Sequence, residues 1–121
     1  MGKCRTGVIY NETRQTVAAE RAESATTYWA RLIGLMGRTV LEPGQALWLS
    51  PCNSVHMFFM RFTLDVVFLD KNNVVVGLVE RLPVWHVSKI FWQAHTAIEL
   101  PAGQIQQIGV HVGDKLCFRQ S

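Results

Sequence analysis

The sequence predicts an α+β fold: a β-rich, twisted, partly barrel-like antiparallel sheet with one amphipathic helix and a short second helix. The first observation is composition, since 121 residues with 49% hydrophobic and 17% charged side chains suffice for one buried core. The second is a series of short apolar segments separated by turn residues, which predicts five to seven strands. The third is a single long segment with helical periodicity. We therefore expect one domain over residues 1–121.

The central stretch runs from Cys52 to Asp70 and contains the densest apolar run of the chain. As one straight strand it would extend about 40 Å, at roughly 3.3 Å per residue, which exceeds the usual length of a strand. We therefore expect a bend or bulge between Arg61 and Thr63. Such a bend would direct Asp65 inward, as polar groups beside bulges often are.

One amphipathic helix is predicted from Ser24, a good N-cap residue, to Met36. Gly37 supplies the left-handed stop that commonly ends a helix. The apolar positions follow the i, i+3, i+4, i+7 pattern of a helix that packs on a sheet. They are Ala25, Tyr28, Trp29, Leu32, Ile33 and Met36.

Six segments have the apolar or β-branched character of strands. The fourth and fifth flank the polar turn Asp70 to Asn73, which predicts a β-hairpin. Because both arms are apolar at nearly every position, we expect this hairpin at the centre of the sheet, covered on both faces. The predicted strands are Val8 to Tyr10, Gln15 to Ala19, Ala46 to Leu49, Leu64 to Leu69, Val74 to Glu80 and Thr96 to Leu100.

The C-terminal part predicts a short helix and a final hairpin. Pro101 precedes a helical turn over Gly103 to Ile108, which Gly109 ends. Beyond it, the Gly113-Asp114 turn separates two short apolar segments. We expect these segments, Val110 to Val112 and Lys115 to Arg119, to pair as a tight hairpin or bulge.

Charge and cysteine content exclude several classes of protein. The net charge is +3 and the twelve Lys and Arg residues are scattered, whereas nucleic-acid binding requires a basic stripe. Three widely spaced cysteines (Cys4, Cys52, Cys117) do not form a disulfide framework, so we expect reduced thiols and a cytoplasmic protein. The start of the chain lacks the apolar segment of a signal peptide. No apolar run reaches the roughly 18 residues of a membrane span.

Five blocks of residues resemble the bacterial and archaeal domain-of-unknown-function family 192, in the right order and over about Thr16 to Phe118. The family is uncharacterised, so the resemblance implies a compact, β-rich α+β domain rather than a reaction. The family's His-x-Phe-x-Met block and Asp correspond here to His56, Phe58, Met60 and Asp65. The blocks are Arg31-x-x-Gly34-Leu35-Met36-x-Arg38, Ser54-Val55-His56-Met57-Phe58-Phe59-Met60-x-Phe62, Asp65-Val66-Val67-Phe68-Leu69-Asp70, Glu99-Leu100-Pro101-Ala102-Gly103 and Gly113-Asp114.

The grouping of Cys52, His56 and Met60 invites a comparison with copper sites, which draw Cys, His and Met from one loop. Those sites need a second His upstream, and no His precedes His56. A zinc site lacks a Cys-x-x-Cys or His-x-x-x-His pair. A Cys52–His56 dyad requires contact at about 3 Å, whereas residues four apart in an extended chain lie some 13 Å apart. We therefore expect no metal and no cofactor.

Two carboxylates, Asp65 and Glu99, fall inside apolar strands, where a charge needs a partner. Arg31, Arg38 and Arg61 are the candidate partners. Either these groups form structural ion pairs between helix and sheet, or they line a polar pocket together with His56.

The sequence favours a non-catalytic binding module that holds a small ligand or a peptide in a small polar pocket near His56 and Asp65. The predicted ligand-binding residues are His56, Met60, Asp65, Arg61 and Arg38. An enzyme using His56 and Asp65 as acid/base groups is the first alternative. A structural interaction domain using Trp85 and Trp92 is the second, since the segment around them has no clean period and forms either a loop under the core or an aromatic surface.

Overall fold

Seven strands and one short helix occur in the residues that the computed structural model describes, which are 5–25, 41–55, 57 and 62–121. The strands are β1 (Arg5–Asn11), β2 (Thr16–Ala25), β3 (Gln45–Leu49), β4 (Leu64–Leu69), β5 (Val75–Leu82), β6 (Thr96–Pro101) and β7 (Leu116–Gln120). The helix α1 (Gln104–Ile108) begins after Gly103 and ends at Gly109, as the sequence predicts.

The strands form one sheet in the order β5-β4-β6-β3-β2-β1-β7. The prediction of a purely antiparallel sheet is wrong, because β2 and β3 pair in parallel from Arg21 and Gln45 to Ala25 and Leu49. The long connection between β2 and β3 explains the difference, since a parallel pair needs a crossover of a dozen or more residues. The sheet is therefore mixed.

The sheet is open, and its two edge strands meet at one end only. Val74 and Lys115 form an isolated bridge beside β5 and β7. The Leu116 amide donates to the Asn73 carbonyl at 3.0 Å, and the Val75 amide donates to the Asp114 carbonyl at 2.8 Å. The sheet thus curls towards closure at this end without a continuous ladder, which supports the barrel-like expectation only in part.

The hairpin of β4 and β5 is confirmed, but its predicted central position is wrong because β5 is an edge strand. β4 lies between β5 and β6 and is buried at every position. β5 becomes exposed towards its end, at Glu80 and Arg81. The apolar residues of β5 are covered by neighbouring loops, as the Phe91 ring shows by packing directly against Gly77.

Two further predictions are corrected. Ser24 does not cap a helix, because it lies in β2 and pairs with Trp48 of β3. The remainder of the predicted helix, residues 26–36, lies outside the described residues.

The predicted final hairpin is also wrong: residues 110–112 form no strand, and β7 pairs with β1, where Ile9 faces Phe118. A longer partner strand offers β7 more backbone hydrogen bonds than a three-residue arm does.

The two faces of the sheet carry separate apolar clusters. The first cluster takes residues from all seven strands and α1, and the second covers the other face of β3, β4, β5 and β6. Members of the first cluster are Ile9, Ala18, Ala19, Ala22, Ala46, Trp48, Val67, Leu69, Val75, Ile98, Leu100, Ile105, Val110 and Leu116. Members of the second cluster are Leu41, Leu47, Leu49, Val55, Met57, Leu64, Val66, Phe68, Leu82 and Ala97. Within the described ranges, no helix has the length and apolar character needed to cross a membrane.

A buried carboxylate ties the turn after β1 to the turn before β7. Asp114 Oδ2 accepts hydrogen bonds from Arg14 Nε at 2.7 Å, Asn11 Nδ2 at 2.9 Å and the His111 amide at 3.0 Å. Burial by itself raises the pKa of Asp114, but these three hydrogen bonds and the charge of Arg14 outweigh it. The pKa of Asp114 therefore lies below the usual range of an aspartate.

Asp114→Asn is expected to lower the free energy of unfolding by about 1 kcal/mol at pH 7. The amide oxygen still accepts hydrogen bonds, but the charge is lost, and the pair with a half-exposed Arg14 is screened by solvent. Because the pKa is depressed in the folded state, this stability is present above the unfolded pKa and is lost as pH falls through the folded pKa. Urea unfolding should show the gap between the two proteins narrowing below pH 3.8. A gap that stays constant down to pH 2.5, roughly, would contradict the assignment.

Candidate functional site

Asp65 lies in β4 with a fully buried carboxylate, and both of its oxygens accept backbone hydrogen bonds. Oδ1 accepts from the Arg81 amide at 2.8 Å. Oδ2 accepts from the Ile105 amide, in the first turn of α1, at 2.9 Å. Both of these partners are backbone amides, and the arginines that the sequence suggested, Arg31, Arg38 and Arg61, lie outside the described residues. Asp65 thus joins the end of β5 to the start of α1.

A bulge in β5 lies opposite Asp65. The β4–β5 register passes from Leu64 and Leu82 to Val66 and Val79, so two residues of β5 face one of β4. Arg81, one of those two, has a φ of 53°, a left-handed value that non-glycine residues rarely adopt. The hydrogen bond from its amide to the carboxylate holds Arg81 in this conformation. This bulge differs from the irregularity that the sequence suggested, which was a bend or bulge between Arg61 and Thr63; Arg61 lies outside the described residues.

An open pocket of about 650 Å³ lies on the solvent side of this junction. The Arg81 guanidinium reaches across Gly103, where an added Cβ would stand 3.3 Å from Nη2. Among the described residues, no carboxylate lies within salt-bridge distance of Arg81. The pocket is lined by Pro43, Arg81, Ala102, Gly103, Gln104, Gln106 and Gln107.

The chemistry of this pocket is that of a polar binding site. Arg81 offers a fixed positive charge with several N–H donors, and glutamine amides offer both donors and acceptors. Gln106 Nε2 already donates to Glu80 Oε1 at 2.9 Å, which leaves Gln104 and Gln107 as adaptable groups. Among the described residues that line the pocket, no Ser, Cys, His or carboxylate is placed to act as a nucleophile or base.

The other predicted ligand-binding residues, Arg38, His56, Met60 and Arg61, lie outside the described residues. A pocket that combines them with Asp65 therefore stays a prediction. The described neighbours of His56 are Val55 and Met57, which are buried in the second cluster.

The carboxylate of Asp65 lies on the other face of β4 from that cluster, because its partner Ile105 belongs to the first cluster. Glu99 is fully buried between Leu47 and Val66, on the face of the second cluster. The two strand carboxylates therefore lie on opposite faces of the sheet and belong to separate environments.

Cys52 and Cys117 are not joined by a disulfide bond, and Cys4 lies outside the described residues. Cys52 Sγ donates to the Ser54 carbonyl at 3.0 Å. Burial, followed by the hydrogen bond that the thiol donates to the Glu12 carboxylate, raises the pKa of Cys117 and so lowers its thiolate fraction near neutral pH. In the part of the chain that the structure describes, no three His, Cys, Asp or Glu residues are placed to share a metal ion.

Comparison with known proteins identifies the family. The model of DUF192, a family described as an uncharacterized ACR, matches residues 9–118. The chain belongs to this family. A UPF0127 protein of Pyrococcus abyssi is 34% identical over 116 residues, which cover 91% of this chain and 96% of that protein. A UPF0127 protein of Thermococcus sibiricus is 32% identical over 117 residues, which cover 90% of this chain and 73% of that protein.

A solved structure shares the fold of this DUF192 member. A protein of unknown function from Novosphingobium aromaticivorans superposes with a TM-score of 0.76 and 19% sequence identity. The superposition covers 93% of this chain and 83% of that protein. At this level of identity the likeness establishes the fold alone, so the pocket must be interpreted from its own residues.

Sequence reasoning missed Arg81 and the glutamines of α1 as site residues. The sequence did point to the glutamines, since one short helix contains Gln104, Gln106 and Gln107 and buries only Ile105. Arg81 carried no such signal, because its left-handed backbone depends on a carboxylate 16 residues away in the sequence.

Proposed function

We propose that this DUF192 domain is a non-catalytic binding module that holds a small anionic ligand in the pocket formed by Arg81 and α1. The observation that carries the proposal is the position of Arg81: its backbone amide donates to buried Asp65, and its guanidinium lies beside Gly103 on the pocket wall. Because the backbone of Arg81 is already held, less conformational entropy is lost when a carboxylate or phosphate binds, and this favours affinity.

Asp65 serves this proposed site as a positioning residue rather than as a contact to the ligand. Its carboxylate fixes Arg81 on one wall of the pocket and the first turn of α1, through Ile105, on the other. The sequence analysis named Asp65 as a ligand-binding residue; in this proposal the ligand contacts Arg81 instead, and Asp65 acts through it.

The alternative of an enzyme that uses His56 and Asp65 gains less support from the geometry. A general base must reach the proton that it removes, and Asp65 is fully buried with both oxygens engaged. The interaction alternative concerns Trp85 and Trp92, which belong to a different surface.

Titration of the purified protein with inorganic phosphate and with citrate, followed by calorimetry and thermal unfolding, tests the proposal. At a ligand concentration of roughly 100 Kd, stabilisation of about 2.7 kcal/mol is expected. Arg81→Gln, which removes the charge, should weaken binding by about tenfold or more, a difference of about 1.4 kcal/mol. Arg5→Gln, at an exposed arginine outside the pocket, is the matched control and should bind as the wild type does.

Two results would overturn the proposal. One is the absence of heat and of thermal stabilisation with both anions in the wild-type protein. The other is equal affinity in wild type and Arg81→Gln, which would place the anion elsewhere on the surface.

A further inference from the structure

A second surface, separate from the proposed pocket, is formed by residues 85–92. Of the six large hydrophobic residues that are exposed in the described ranges, four lie in this segment. Exposed apolar residues are usually scattered singly, so their concentration within eight residues marks an interaction surface. The four are Trp85 (58% exposed), Val87 (55%), Ile90 (46%) and Trp92 (82%).

The segment is held in place by backbone hydrogen bonds to residues 53–57. The Trp85 amide donates to the Met57 carbonyl at 2.8 Å, and the Met57 amide donates to the His86 carbonyl at 2.7 Å. Further along, the Ser88 amide donates to Val55 at 2.8 Å, and the Phe91 amide donates to Asn53 at 2.9 Å. The surface is therefore formed before any partner arrives.

Two side chains of the segment turn inward and anchor it. Ser88 is buried, and its Oγ accepts the Val55 amide at 2.9 Å. The Phe91 ring stacks on Phe68 with centroids 4.4 Å apart. It also packs directly against Gly77, which leaves no space there for a Cβ. With these two positions committed to the core, the apolar residues between and beside them project towards solvent.

Trp85 adopts a left-handed φ of 65°, which is unfavourable for a bulky residue. Such strain persists only where the surrounding structure enforces it, and it is often associated with function. Here the hydrogen bond of its amide to Met57 enforces it, and the indole remains 58% exposed.

The formal charge of this segment is positive, because residues 85–92 contain Lys89 but no Asp or Glu. Lys89 Nζ lies 4.9 Å above the Phe91 ring, at the middle of the segment. A complementary partner therefore combines an apolar layer with negative charge.

We propose that residues 85–92 dock on an anionic lipid bilayer, with Trp85 and Trp92 at the level of the headgroups and Lys89 beside acidic headgroups. Indole rings favour the boundary between hydrocarbon and water, and lysine is attracted by anionic lipid. A second copy of this chain complements the surface poorly, because a two-fold contact would place the Lys89 side chains of both copies in one interface.

Co-sedimentation with phosphatidylcholine vesicles, with and without phosphatidylserine, tests the proposal. Binding to the vesicles that contain phosphatidylserine is expected, and it should weaken as salt screens the charges. Trp92→Ala and Lys89→Glu should each lower the partition coefficient tenfold or more. Both residues are exposed, so thermal unfolding should confirm that the variants remain folded.

A matched pair of valines provides the control. Val87 is 55% exposed within the segment, and Val112 is 63% exposed outside it. Val87→Asp should lower vesicle binding tenfold or more, whereas Val112→Asp should leave it unchanged. The proposal is overturned by absence of binding to the anionic vesicles or by equal effects at the two valines. It is also overturned by a lipid-free dimer that Val87→Asp dissociates, because a second copy would then occupy the surface.

Discussion

Replacing Asp65 with Asn is expected to lower the free energy of unfolding by roughly 2–4 kcal/mol. The two oxygens of Asp65 each accept a different backbone amide, from Arg81 and from Ile105. An asparagine keeps one acceptor but turns an NH2 group towards the other amide. A buried donor would then face a donor, with no water to relieve it, because residue 65 is fully buried.

Asp70→Asn is a matched control for this substitution. Asp70 also accepts two backbone amides, from Asn72 at 2.8 Å and Val74 at 3.0 Å, but both bonds go to the same oxygen, Oδ1. An asparagine oxygen can replace that single acceptor, so the cost should stay within about 0.5 kcal/mol. Urea unfolding of the three proteins at pH 7 measures both values. A cost below about 0.5 kcal/mol for Asp65→Asn would refute the double-acceptor geometry.

The same variant links stability to the proposed pocket. If Asp65 positions Arg81, the fraction of Asp65→Asn that stays folded should also bind phosphate and citrate more weakly than wild type does. Asp70→Asn should bind both anions normally. Unchanged anion affinity in folded Asp65→Asn would assign Asp65 to the fold alone.

Phe68→Ala is expected to cost about 3–5 kcal/mol, the range for removing a fully buried aromatic ring from a core. Phe68 has no exposed surface and belongs to the second cluster. Its ring also supports Phe91 through a stacked contact at 4.4 Å, so the cavity would loosen the anchor of residues 85–92.

Trp92→Ala removes an aromatic ring of similar or larger size from an 82% exposed position and should change stability by no more than about 0.5 kcal/mol. Denaturant unfolding of both variants gives the comparison. A loss below about 1.5 kcal/mol for Phe68→Ala would mean that its site collapses around the missing ring.

Local features of this fold were predictable from the sequence. The turn at 70–73 defines the β4–β5 hairpin, because its Asp70 side chain and short length fix the geometry over neighbouring residues. The short helix α1 follows from Gly103 and Gly109, whose left-handed φ values begin and end it. The burial of Asp65 was also predictable, since its neighbours in β4 are all apolar.

The sequence by itself determined the existence of most strands, the hairpin and α1, since these depend on side-chain period and on turn residues close together in the chain. The family followed from the resemblance of five blocks of residues. Only the tertiary structure decided the parallel pairing of β2 with β3, the pairing of β7 with β1 and the partners of Asp65. Strand order depends on which long-range pairing satisfies the most backbone groups and buries the most apolar area at once, and a local pattern does not encode that choice. The Asp65 carboxylate meets the Ile105 amide, 40 residues away, because both lie where β4 and α1 pack together.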